Sequence, residues 1–144
     1  MIEPDTIKLL RECDAGIKMG VASIDEVLEA VHDKDFREAL RECRAGHEKL
    51  GEEIQSLLEQ AHDDGKEPNP MAKGMSWMKT NVKLAMDASD ETAADLITDG
   101  CNMGVKSLSR YLNQYKAASE TAKSFTKRLI QMEENLVVAI RRFL

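Results

Sequence analysis

Aromatic residues make up only 4% of this 144-residue chain, and proline occurs three times. That shortage, set against abundant Ala, Leu, Glu and Lys, weighs against sheet and toward helix. No apolar run approaches the roughly 20 residues that span a bilayer, which excludes a membrane helix. Basic clusters are missing as well: the net charge is −6 and the pI is near 5.1. A nucleic-acid groove needs clustered Lys and Arg to neutralise phosphates, so that class is excluded. The same balance leads us to expect a soluble, cytoplasmic protein. Met1-Ile2-Glu3-Pro4-Asp5 carries neither the basic nor the apolar region of a signal peptide. The three cysteines form no Cys-x-x-Cys pair, so reduced thiols are expected. With no Gly-rich phosphate loop, HExxH or Ser-His-Asp order, no enzyme class can be argued.

What is present is a repeated frame. Each cysteine begins a Cys-x-x-Gly: Cys13-Asp14-Ala15-Gly16, Cys43-Arg44-Ala45-Gly46 and Cys101-Asn102-Met103-Gly104. Leu10-Arg11-Glu12-Cys13 recurs as Leu40-Arg41-Glu42-Cys43. A shared thiol site is one reading of it, and height along a bundle tests that reading. With a turn near Asp33, Cys13 and Cys43 differ in height by roughly 15 Å at 1.5 Å per residue. A disulfide or shared ligand needs Cα atoms within about 7 Å. The cysteines therefore read as small core hydrophobes. Gly16-x-x-x-Gly20 and Gly100-x-x-x-Gly104 read as close helix packing, since each glycine costs about 1 kcal/mol against alanine inside a helix.

Apolar spacing predicts four long helices. The first runs from about Thr6 to Val31, capped by Asp5, with a seam at Leu10, Cys13, Ile17, Gly20/Val21, Ile24 and Leu28. After the polar break at 32–35, the second runs from about Asp35 to His62 along Phe36, Leu40, Cys43, His47, Leu50, Ile54 and Leu57. The stretch 63–70, with Gly65, Pro68 and Pro70, is the one strong linker. A short Met-rich helix over 71–86, around Trp77, follows it and reads as a bundle lid or a surface for a partner helix. Ser89-Asp90 starts the third long helix along Ile97, Cys101, Gly104/Val105, Leu108 and Leu112, and Ser119 starts the last along Phe125, Leu129, Met132, Leu136 and Ile140. Two short-looped pairs joined by one long excursion predict an all-α, single-domain bundle (1–144) with one crossover containing a short fifth helix.

The layout resembles the ferritin-like superfamily, in particular small bacterial four-helix bundles of unknown function. The resemblance rests on Gly16-Ile17-Lys18, Ala45-Gly46-His47, Ser76-Trp77-Met78-Lys79, Gly104-Val105-Lys106 ahead of Tyr111, and Ile140-Arg141-Arg142. Di-iron members place Glu on helices 1 and 3 and Glu-x-x-His on helices 2 and 4. Carried over, those positions hold Lys18, Arg44 with His47, Val105 or Lys106, and Glu134 with Val137. Only His47 and Glu134 survive as candidate metal ligands. Lys18, Arg44 and Lys106 replace carboxylates and oppose a dication. The resemblance thus implies a bundle whose di-metal centre is lost and which needs no cofactor.

The expected role is non-enzymatic: an interaction or structural protein, a homodimer or larger. The alternative is a binding protein in which Lys18, Arg44, His47, Lys106 and Glu134 converge on a small anion or an unusual metal between the helices. His47, on the seam, otherwise reads as a hydrogen-bonded core residue, with His32 and His62 solvated at helix ends. A redox role for Cys43 or Cys101 needs an accessible thiolate, which seam positions disfavour.

Overall fold

Among the residues that the computed structural model describes (2–61, 63 and 87–144), four helices and a terminal turn account for nearly all of the chain. They are α1 (Pro4–Leu28), α2 (Lys34–Gln60), α3 (Asp90–Gln114) and α4 (Glu120–Ile140), with a 3₁₀ turn at Arg141–Phe143. The all-α bundle expected from composition and spacing is what forms. The expected Met-rich helix over 71–86, and His62, lie outside the described residues.

Local chemistry sets most helix starts. Asp33 accepts from the Phe36 N–H at 2.9 Å, Ser89 from Thr92 at 3.1 Å and Ser119 from Ala122 at 3.2 Å. Each satisfies a donor that the helix itself leaves open. Asp5 does not cap α1 as expected. Glu3 holds the cap position with no side-chain bond, and Pro4 begins the helix, where its missing N–H is no loss. Asp5 instead accepts from Ala117 N–H at 3.1 Å, and the Thr6 hydroxyl accepts from Ser119 N–H at 2.8 Å. These two bonds tie the start of α1 to the turn between α3 and α4.

The helix directions follow from such contacts. The α3–α4 turn lies beside the start of α1, at what we call the base, where Arg11 also pairs with Asp63 at 3.7 Å just beyond α2. At the other end Asp90, opening α3, accepts from His32 N–H at 2.6 Å and Asp33 N–H at 3.0 Å in the α1–α2 turn. So α1 runs up, α2 and α3 both run down, and α4 returns. Gln60 and Asp90 stand at opposite ends of a bundle about 37 Å long. The helices α1 and α2 pack extensively, as do α3 with α4 and α2 with α4, whereas α1 and α3 meet more sparsely.

Apolar side chains fill two separate clusters. The lower one gathers Leu9, Cys13, Ile17, Leu50, Ile54, Leu58 and Leu129 around the base. The upper one gathers Ile24, Val27, Phe36, Leu40, Ile97, Cys101 and Ile140, with Phe143 stacked on Phe36 at 4.7 Å. Between the clusters lies a polar layer, and the candidate site is there.

Candidate functional site

Each helix contributes one seam position to the middle layer: Gly20, His47, Gly104 and Glu133. The two glycines leave room for the two polar side chains. A Cβ added at Gly20 would come within 3.1 Å of the His47 ring, and one at Gly104 would touch the Glu133 carboxylate at 3.6 Å.

His47 is only 1% exposed. Its Nδ1 lies 2.8 Å from the Cys43 carbonyl oxygen, which can only accept, so Nδ1 carries a proton. Its Nε2 lies 3.1 Å from Glu133 Oε1. With both nitrogens donating, the ring is an imidazolium held against a carboxylate. Burial opposes that charge, but hydrogen bonds with Cys43 and Glu133 and the negative charge of Glu133 outweigh it, raising the His47 pKa to about 10. Cys43 Sγ sits 3.5 Å from Nδ1.

The buried Cys101 lines the same layer. Burial first, then the Glu133 charge, push the Cys101 thiol far above its ordinary range. Cys13 lies apart from this group. Its thiol is 3.2 Å from Thr126 Oγ1, and Thr126 in turn donates to the Ala122 carbonyl at 2.8 Å. Burial, helped by the charges of Glu12 and Asp14, raises its pKa to about 11 in spite of the Thr126 bond. All three cysteines are free thiols. The height argument correctly separates Cys13 from Cys43, but it does not anticipate that Cys43 and Cys101 border one His–Glu pair.

The expected cluster of Lys18, Arg44, His47, Lys106 and Glu134 does not form. Lys18 pairs with buried Asp14 at 2.9 Å, and Asp14 also accepts from Gln55 at 2.9 Å. Arg44 faces outward to Asp25, at 2.6 Å, and to Glu48. Lys106 and Glu134 are exposed. Glu133, one residue earlier, is the partner that His47 finds. The signal for it was in the sequence: Leu129, Glu133, Leu136 and Ile140 step by four, three and four along one helix face, and Glu134 lies about 100° round from it.

Beside the layer, between α1 and α3, is a cavity of about 410 Å³. Its walls are Met19, Ile24, Val27, Ile97, Leu108 and Tyr111, and Glu133, His47 and Cys43 border it with Glu12. Gly16, Gly20, Gly100 and Gly104 all line it. Within the described residues, close packing falls to Gly20 and Gly104 and not to Gly16 and Gly100. A Cβ at Gly16 would be an ordinary 3.9 Å from Leu129, and one at Gly100 would meet nothing within 4 Å among the described residues. Gly16 and Gly100 thus have room among the described residues, whereas Gly20 is tight against the His47 ring and Gly104 touches Glu133. On α2, Gly51 against Ile17 and Gly46 against Met132 are tight as well, each at 3.2 Å.

Among the described residues, no three His, Cys, Asp or Glu side chains are placed to hold one metal ion, and no helix is long and apolar enough to cross a membrane. No family model, curated protein or solved structure matches the chain.

Proposed function

We propose that this is a non-enzymatic binding protein that holds a small, mainly apolar molecule between α1 and α3. One observation carries the reading: four glycines from two helices all front a single cavity with a buried ionic pair at its edge. A glycine inside a helix costs about 1 kcal/mol against alanine. At Gly16 and Gly100 no close neighbour among the described residues requires that loss. A volume of about 410 Å³ falls in the range of small-molecule sites. The His–Glu pair fixes the layer in which the ligand's polar group would be read. It replaces the expected pairing of His47 with Glu134.

The ferritin-like origin is a second reading, favoured by the up-down-down-up order of the helices and by His47 at mid-height. On that reading the cavity occupies the layer of a lost di-metal centre.

Titration with neutral N-phenyl-1-naphthylamine tests the binding role. We expect saturable, blue-shifted emission at one site. In the double variant Gly16→Leu/Gly100→Leu, whose side chains fill the cavity, emission should vanish while the melting temperature stays the same or rises. Absent saturation, or full binding in the filled variant, overturns the proposal.

A further inference from the structure

We propose that the cavity selects an apolar organic cation, an amine whose ammonium is received by the Glu133 carboxylate. This rests on the binding role proposed above and names the ligand's chemical class.

Hydrogen-bond accounting comes first. Both N–H groups of His47 are spent inside the protein, on the Cys43 carbonyl and on Glu133. The imidazolium therefore has no donor left to offer an anionic guest. A carboxylate has about four acceptor positions and no donor. One of those on Glu133 is taken by His47, and what the carboxylate can present is acceptor only. Ser23 and Ser107 also line the cavity, and their hydroxyls serve a guest of either sign.

The charge inventory points the same way. Glu12 and Glu133 line the cavity, and no Lys or Arg does among the described residues. The cations that the sequence places nearest, Lys18 and Arg44, are directed to Asp14 and to Asp25 with Glu48. The His47 imidazolium and the Glu133 carboxylate balance each other, and the described lining holds no further cation. An anion brought here would lose its water and meet the Glu133 carboxylate, with no Lys or Arg of the described lining to offset that penalty. An ammonium would exchange water for a charge-assisted bond. The walls suit the rest of such a guest: Met19 and Met103 are soft and adaptable, and Tyr111 adds an aromatic ring, the group that best tolerates a nearby cation.

Three probes of one shape separate the possibilities: 2-naphthylmethylammonium, 2-naphthylmethanol and 2-naphthoate, each titrated calorimetrically into the full chain. We expect the ammonium to bind about tenfold tighter than the alcohol, with naphthoate weakest. Glu133→Gln should bring the ammonium down to the alcohol's affinity. The wild-type ranking decides the matter even if that variant does not fold. Equal or tighter binding of the alcohol or of naphthoate overturns the cation preference and leaves the binding role standing. If none of the three binds, the binding role itself fails.

Discussion

At the base of the bundle Cys13 sits in closed apolar packing, whereas Cys101, from the same Cys-x-x-Gly frame, borders an open cavity. Their surroundings differ in kind. At the base, polar groups are sparse and neutralised locally: Cys13 against Thr126, and Asp14 between Gln55 and Lys18. In the middle layer an imidazolium and a carboxylate face each other from α2 and α4, with glycines opposite. The glycine that closes each frame shows the contrast too. Gly16 rests on Leu129, while Gly104 rests on the Glu133 carboxylate. One motif thus serves packing in one place and makes room for charge in another. What decides between them is the side chain that the opposite helix delivers.

The contrast can be broken most directly by removing the charge. Glu133→Leu would leave the buried imidazolium unpaired, and we expect a loss of about 3–5 kcal/mol in urea denaturation. Thr126→Val at the base, which removes a weak thiol partner and a hydroxyl bond to the Ala122 carbonyl but no charge, should cost about 1 kcal/mol. Equal losses would show that the two layers are alike.

A smaller effect comes from pH. The folded-state pKa of His47, about 10, stands above its ordinary 6.5, so the folded protein holds this proton longer than the unfolded chain. The resulting stability is fully present below pH 6.5 and is lost as pH rises toward 10. Between pH of about 6.5 and 8.5 we expect a decline of about 2 kcal/mol in the wild type. His47→Gln should be flat over that window. The buried thiols add their own loss only above their unfolded value of 9.0, in the same direction. A wild-type curve that is flat to pH 8.5 would refute the imidazolium.

The glycines give the finest test. Gly100→Ala should raise stability by about 1 kcal/mol, because its Cβ enters open space and glycine is the poorer helix former. Gly20→Ala should be destabilising despite the same helix gain, since its Cβ lies 3.1 Å from the His47 ring. Thermal melts of the two variants moving in the same direction would mean that the Gly20–His47 contact is not tight.

Much of this was legible from spacing alone. The seams of the four helices hold, Ser89 and Ser119 stand at helix starts, and His47 is a hydrogen-bonded core residue. The failures share a cause. Glu134, Lys18, Arg44 and Lys106 were aligned by position along each helix, but contact also depends on rotation about the axis. A step of one residue turns a side chain by about 100°, enough to carry Glu134 from the core to solvent. Glu133 was overlooked because Met132 satisfies the same seam, and in the fold Met132 packs on Gly46 instead.

The sequence by itself determined the four amphipathic helices of the described residues, where three of them start, and that His47 is buried. Those properties are local, set by apolar period and capping chemistry. Only the tertiary structure decided that Glu133 meets His47, that Lys18 and Arg44 turn away, and that α1 and α3 stand far enough apart for glycines to line a cavity instead of a contact. Rotation and interhelix distance are settled by all four helices packing at once, and no single helix encodes them.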